Sequence, residues 1–190
     1  MVIEYNLSHE ETVAGWDLMI RESFPVFEKL IKTYKNDFII CQDGGYISID
    51  IPDLRDFMHK SLHNIIEFQK EKYPSEAIIN SEFLKILSYC ILALWLNNED
   101  DPMMPIFNPK SVWEARISSN RELMIKKNKN YGSSWSIMRP EGITDTIHTK
   151  IHRISSLLDG EKNNFESIND SLEDTINYCI FCMMRMKLGE

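Results

Sequence analysis

The stretch SLEDTINYCIFCMMRM (171–186) is nearly all apolar from Ile176 onward, yet Glu173, Asp174 and Asn177 stand at its entrance, with Asp170 just ahead. On a helix, Asp170, Asp174 and Asn177 fall at i, i+4 and i+7 and share a face, with Glu173 beside them. Carboxylates gathered without matching bases are what a hard cation such as Mg²⁺ requires. The plainer reading is a solvated first turn, where acids also suit the positive end of the helix dipole. Asn177 argues for more, because it falls where the helix has turned apolar and a buried amide needs partners.

Upstream lies the opposite sign. Lys150 and Arg153 in TKIHRI are spaced i, i+3, a pairing that suits phosphate oxygens, the Arg as a fork and the Lys as a point charge. Ordinary surface charge is the alternative. In RELMIKKNKNYGSSWSIMRP (121–140), Glu122 and Lys126 are spaced i, i+4, Tyr131 and Trp135 flank a Gly-Ser-Ser turn, and Arg139 precedes a proline. Such a turn between two aromatics can cradle a planar base with its phosphate, or it can be a packed loop whose Trp plugs the core. Two H-x-x-x-H pairs, His59/His63 and His148/His152, have the spacing of a transition-metal site, though capping or exposed histidines read as well.

The elements that must position these residues are helical. Ser8 with Glu11 is a capping-box signature opening a helix to about residue 22, and Pro25 starts another to about 35. FIICQDGGYISID (38–50) breaks the pattern with two β-rich runs around Asp43-Gly44-Gly45, which predicts a hairpin. Helices are expected over about 52–72, 75–97, 110–129, 143–158 and 167–187, with an acidic, proline-rich linker at 97–109 and a loop at 130–142. The segments 54–96 and 143–185 align without a gap at an offset of 89 residues. Asp56/Asp145, His59/His148, His63/His152, Asn80/Asn169, Tyr89/Tyr178 and Cys90/Cys179 coincide. Helices of like composition resemble each other, but polar matches at fixed spacing favour an internal repeat. Where the later copy has Asp170, Glu173, Asp174 and Asn177, the earlier has Ser81, Leu84, Lys85 and Ser88. The expected fold is therefore all-α, a helical bundle of two pseudo-equivalent repeats with a small β-hairpin insert near 38–50. Residues 1–98 would be scaffold and 110–190 would carry the site, both packed as one unit.

Bulk properties bound the rest. A chain of 190 residues with 43% hydrophobic and 26% charged side chains can build one core. A net charge of −8 argues against a surface driven onto nucleic acid by bulk positive charge. No signal peptide is visible, and the apolar run ILSYCILALWL (86–96) is too short to span a bilayer. Cys41, Cys90, Cys179 and Cys182 form no disulfide framework, and the C-x-x-C at 179–182 lies among apolar helix positions, so buried thiols and a cytoplasmic location are expected.

The segment KNKNYGSSWSIMRPEGITDTIHTKIHRI followed by INYCIFCMMRM resembles the nucleotide modification associated domain (type 1) family. The family pattern falls on Lys127, Tyr131, Gly132, Trp135, Arg139-Pro140, Thr144-Asp145, Lys150, Arg153-Ile154 and Ile176-Asn177-Tyr178. The family's acid before Tyr-Gly is Asn130 here, so a metal ligand is lost if that acid binds metal. The pattern is also distantly similar to the all-α pyrophosphohydrolases of the MazG and dimeric dUTPase type, whose E-x-x-E and E-x-x-D motifs hold Mg²⁺; this chain lacks clean copies of both. The expectation that follows is a Mg²⁺-dependent (d)NTP pyrophosphohydrolase acting on a free nucleotide. Glu122, Asp170, Glu173 and Asp174 would hold the ion, and Glu122, Lys126 and Asp174 would do the chemistry. Lys126, Lys150 and Arg153 would neutralise phosphate, and Tyr131, Trp135, Arg139 and Asn177 would hold the substrate. The alternative is a non-catalytic nucleotide-binding or partner-binding protein; a histidine-ligated metal protein is a third reading. A duplication within the chain could replace a homodimer or build half of a larger one.

Overall fold

In a computed structural model the described residues are 7–34, 39–40, 46–47, 49–98, 108–161 and 166–188. The chain is all-α. Helix α1 runs His9–Tyr34, α2 Ile51–Gln69, α3 Glu76–Asn97, α4 Pro109–Tyr131, α5 Pro140–Leu158 and α6 Ile168–Lys187, with one turn of 3₁₀ helix at Ser134–Ile137 between α4 and α5. Local chemistry sets several starts. Ser8 and Glu11 exchange backbone and side-chain bonds of 2.8 and 3.1 Å, Asp50 and Asp53 do the same for α2, and Ser167 and Asp170 for α6.

The two helices expected either side of Pro25 are one. Pro25 cannot donate to the carbonyl four residues back, yet it faces solvent, where water can satisfy that carbonyl. On the opposite face Trp16, Met19, Ile20, Ser23, Phe27, Leu30 and Ile31 stay buried in one continuous stripe through the proline, so packing carries the helix across.

Of the hairpin expected over 38–50, the described residues hold only a two-residue antiparallel pair, Ile39–Ile40 with Tyr46–Ile47, too little to support a β-hairpin insert; 38, 41–45 and 48 lie outside them. The linker over 97–109 also lies almost wholly outside the described residues.

Helix α3 is the axis. Residues 86–94 are buried without a break, so this helix has no solvent face along that stretch. It packs against α2, α6, α1 and α4, while α5 packs against α6 and α2. It is also the one helix among the described residues long and apolar enough to cross a membrane, and it serves here as the core helix. The pairing of α2 with α3 and of α5 with α6 is what any bundle of helical hairpins produces, and the expected two-repeat layout gains no support from it. One continuous apolar cluster runs from Trp16 to Met186 and joins the six helices of the described residues.

Candidate functional site

The last turns of α4, the 3₁₀ turn and the middle of α6 enclose a cavity of about 380 Å³. Helix α6 contributes Asp174, Asn177, Tyr178 and Phe181, spaced i, i+3, i+4 and i+7 and therefore on one face. Helix α4 contributes Met124, Lys127 and Asn128, and the connection contributes Gly132, Ser134 and Trp135. The chain leaves α4 through Gly132 at φ +64°, a left-handed conformation that costs a side chain dearly and glycine nothing. That turn brings Trp135 back over α6. Its indole stacks on Phe181 at 4.7 Å between centroids with the planes 5° apart, and Tyr178 meets Phe181 edge-on at 6.4 Å.

Helix α1 closes the far side by polar contacts. Trp16 Nε1 donates to Asn177 Oδ1 at 3.1 Å, and Asn128 Nδ2 lies 2.9 Å from His9 Nδ1. Ser133 Oγ donates to the Leu7 carbonyl and lies 3.1 Å from Thr12 Oγ1. Arg121 forks onto Asp17 at 2.6 and 2.7 Å, fixing α4 against α1.

Charge concentrates on one carboxylate. Asp174, on the cavity wall, pairs with Lys127 and, at 2.9 Å, with Lys150 of α5. Lys150 also bonds Glu166 at 2.6 Å, which accepts from Ser171 as well. Burial alone would lower the Lys150 ammonium, but Glu166 and Asp174 outweigh it and hold its pKa above the ordinary lysine value. The Glu173 carboxyl is pushed up, chiefly by burial and then by Asp170. Asp170 is held below the ordinary value by its bonds to Ser167.

The expected site residues divide accordingly. Trp135, Asp174 and Asn177 line the cavity, and Lys150 reaches it through Asp174. Asp170 is spent on capping its own helix. Glu173 is half-buried beside the cavity lining without being part of it, and its carbonyl accepts from Asn120. Arg153 pairs with Glu161 at 3.0 Å. Glu122 and Lys126 are exposed; they lie two positions from Met124 and Asn128 and so point the other way. Arg139 is exposed at the start of α5, and the side chain of Tyr131 lies outside what is described. Among the described residues no three of His, Cys, Asp and Glu converge to hold a metal ion. The histidine pairs follow suit: His63, His148 and His152 are exposed, and His59 Nε2 lies 3.0 Å from Ser155 Oγ. Cys179 and Cys182 are free and buried, and burial raises both thiols, Cys182 to about 12.

Residues 127–186 match the model of the family described as nucleotide modification associated domain 1. The matched segment holds every residue lining the cavity except Met124, and it holds both members of the Asp174–Lys150 pair. No curated protein and no solved structure matches the chain, so the more distant similarity to MazG-type enzymes gains no support. Sequence reasoning gave no site role to Met124, Lys127, Asn128, Tyr178 and Phe181, although Lys127 and Tyr178 fall on the family pattern; the cavity lining includes all five. The signal for Tyr178 and Phe181 was present, because extending the face of Asp174 and Asn177 along α6 by helical spacing reaches them.

Proposed function

We propose that this chain binds a nucleotide in the cavity between α4 and α6, its base against Trp135 and Phe181 and its phosphate at Lys127. The observation that carries this reading is a stacked aromatic wall and a lysine on one cavity, within a segment matching a nucleotide modification associated family. A volume of about 380 Å³ lies within the usual range for small-molecule pockets. Stacking of a base on an aromatic contributes about 1–3 kcal/mol whatever the base. Lys127 and Lys150 are matched by Asp174 and Glu166, so local charge is balanced and a ligand with few phosphates suits the site better than one with many.

A Mg²⁺-dependent pyrophosphohydrolase is the finer form of this reading, and the donor set does not fit a protein-held Mg²⁺. Asp174 is engaged by two lysines, Asp170 by its cap, and Glu122 stands on another face. Binding is therefore the proposal, and the partner it takes is a small-molecule nucleotide. Residues 1–98 would be more than scaffold, since Trp16 and His9 touch the amides of the cavity.

Calorimetric titration with nucleoside mono-, di- and triphosphates, with Mg²⁺ and with chelator, tests it. Saturable binding of at least one nucleotide, weakened by Lys127→Ala and Trp135→Ala, is the expected result; no binding across the panel removes the reading. Pyrophosphate release that needs Mg²⁺ would convert it to the hydrolase.

A further inference from the structure

Asn177 is 5% exposed and lines the cavity. Its Oδ1 accepts from Trp16 Nε1 at 3.1 Å, whereas its Nδ2 makes no hydrogen bond within the protein among the described residues. The orientation of an amide is usually ambiguous, because either end can face either way. Here chemistry decides it. An indole N–H can only donate, so the atom facing Trp16 must be the oxygen. The nitrogen is then left over, on a residue of the cavity wall, as a donor with no hydrogen-bond partner among the described residues.

We infer that Trp16 is a positioning residue that fixes Asn177 as a hydrogen-bond donor to the ligand. Asn177 Nδ2 thereby bonds an acceptor on the base, a carbonyl oxygen or a ring nitrogen. The inference rests on the nucleotide-binding reading above and assigns how its base is held. Trp16 lies in α1, outside the segment that matches the family model, so the donor's orientation is set from elsewhere in the chain.

The test uses the full chain and five nucleoside 5′-monophosphates, AMP, GMP, CMP, UMP and dTMP, titrated into wild type, Asn177→Asp, Trp16→Phe and the double variant. Aspartate keeps the acceptor for Trp16 and removes the donor; phenylalanine keeps a ring and removes the N–H. For the tightest-binding monophosphate, Asn177→Asp is expected to weaken affinity by about tenfold or more, the loss of one buried hydrogen bond. Trp16→Phe should weaken it less, and the double variant no more than Asn177→Asp alone, because Trp16 acts through Asn177. Wild-type affinity in Asn177→Asp overturns the donor assignment, and additive losses in the double variant reduce Trp16 to packing. The side-chain amide protons of Asn177 in the wild type, followed by NMR during the same titration, give a readout independent of how the variants fold. They are expected to shift on saturation, and unshifted protons overturn the inference while leaving nucleotide binding intact. If none of the five binds wild type and the di- and triphosphates also fail, the nucleotide-binding reading itself falls.

Discussion

Asp174 stands between two ammonium groups with its side chain 16% exposed, and Lys150 beside it is 20% exposed. Replacing it with asparagine keeps the volume and leaves Lys150 with Glu166 alone. Breaking a fully buried pair costs about 3–5 kcal/mol, but here Lys127 is 44% exposed and solvent screens much of the interaction, so about 1–2 kcal/mol is expected for Asp174→Asn by urea denaturation. The same change frees Lys127 at the cavity and is expected to tighten the binding of nucleoside monophosphates. His59 carries the clearest pH dependence. Burial, then Arg55, His148 and His152, lower its pKa from the ordinary 6.5, against a smaller opposing effect of Asp56. The folded chain takes up that proton less readily than the unfolded chain. Its contribution is therefore complete above the ordinary value and is lost as pH falls through the lowered one. The urea midpoint is expected to drop between about pH 7.5 and about pH 5, and His59→Asn to flatten that drop.

Elements show where packing overrides local rules. Pro25 sits inside α1 because the buried stripe from Trp16 to Ile31 holds the helix on both sides of it. Its ring withholds one backbone bond at an exposed position, so Pro25→Ala is expected to raise stability by about 1–3 kcal/mol, read from thermal or urea unfolding. The acids of α6 make a related point. Asp170 reads from sequence as a ligand beside Asp174, but it is the third residue of its helix, and the backbone donors there claim it. Four residues on, Asp174 is past the cap and free to meet α4 and α5. The same helical face thus carries a capping acid at one end and a cavity acid further along.

At the scale of the molecule, the cavity depends on helices remote in the chain. Helix α6 buries Cys179, Ile180 and Met183 in the cluster that α3 runs through, and α3 belongs to the other half of the chain. A fragment of residues 108–190 is therefore expected to show no cooperative melting transition by circular dichroism, although it spans the whole family-matched segment. Much of the architecture was legible beforehand. The apolar spacing in 143–158 and 167–187 and the capping pair at Ser8 are local signals, and helices arise from local rules. The shared face of Asp174 and Asn177 followed from the same arithmetic. Which acids were spent elsewhere did not, nor did Lys127 as the partner of Asp174 across 47 residues, nor Trp16 holding Asn177 across 161. By itself the sequence determined that the chain is helical and which faces of its helices are polar, because periodicity depends on neighbours three and four residues away. Only the tertiary structure decided which of those polar groups meet, because contacts between helices depend on how apolar stripes pack and leave no trace in local spacing.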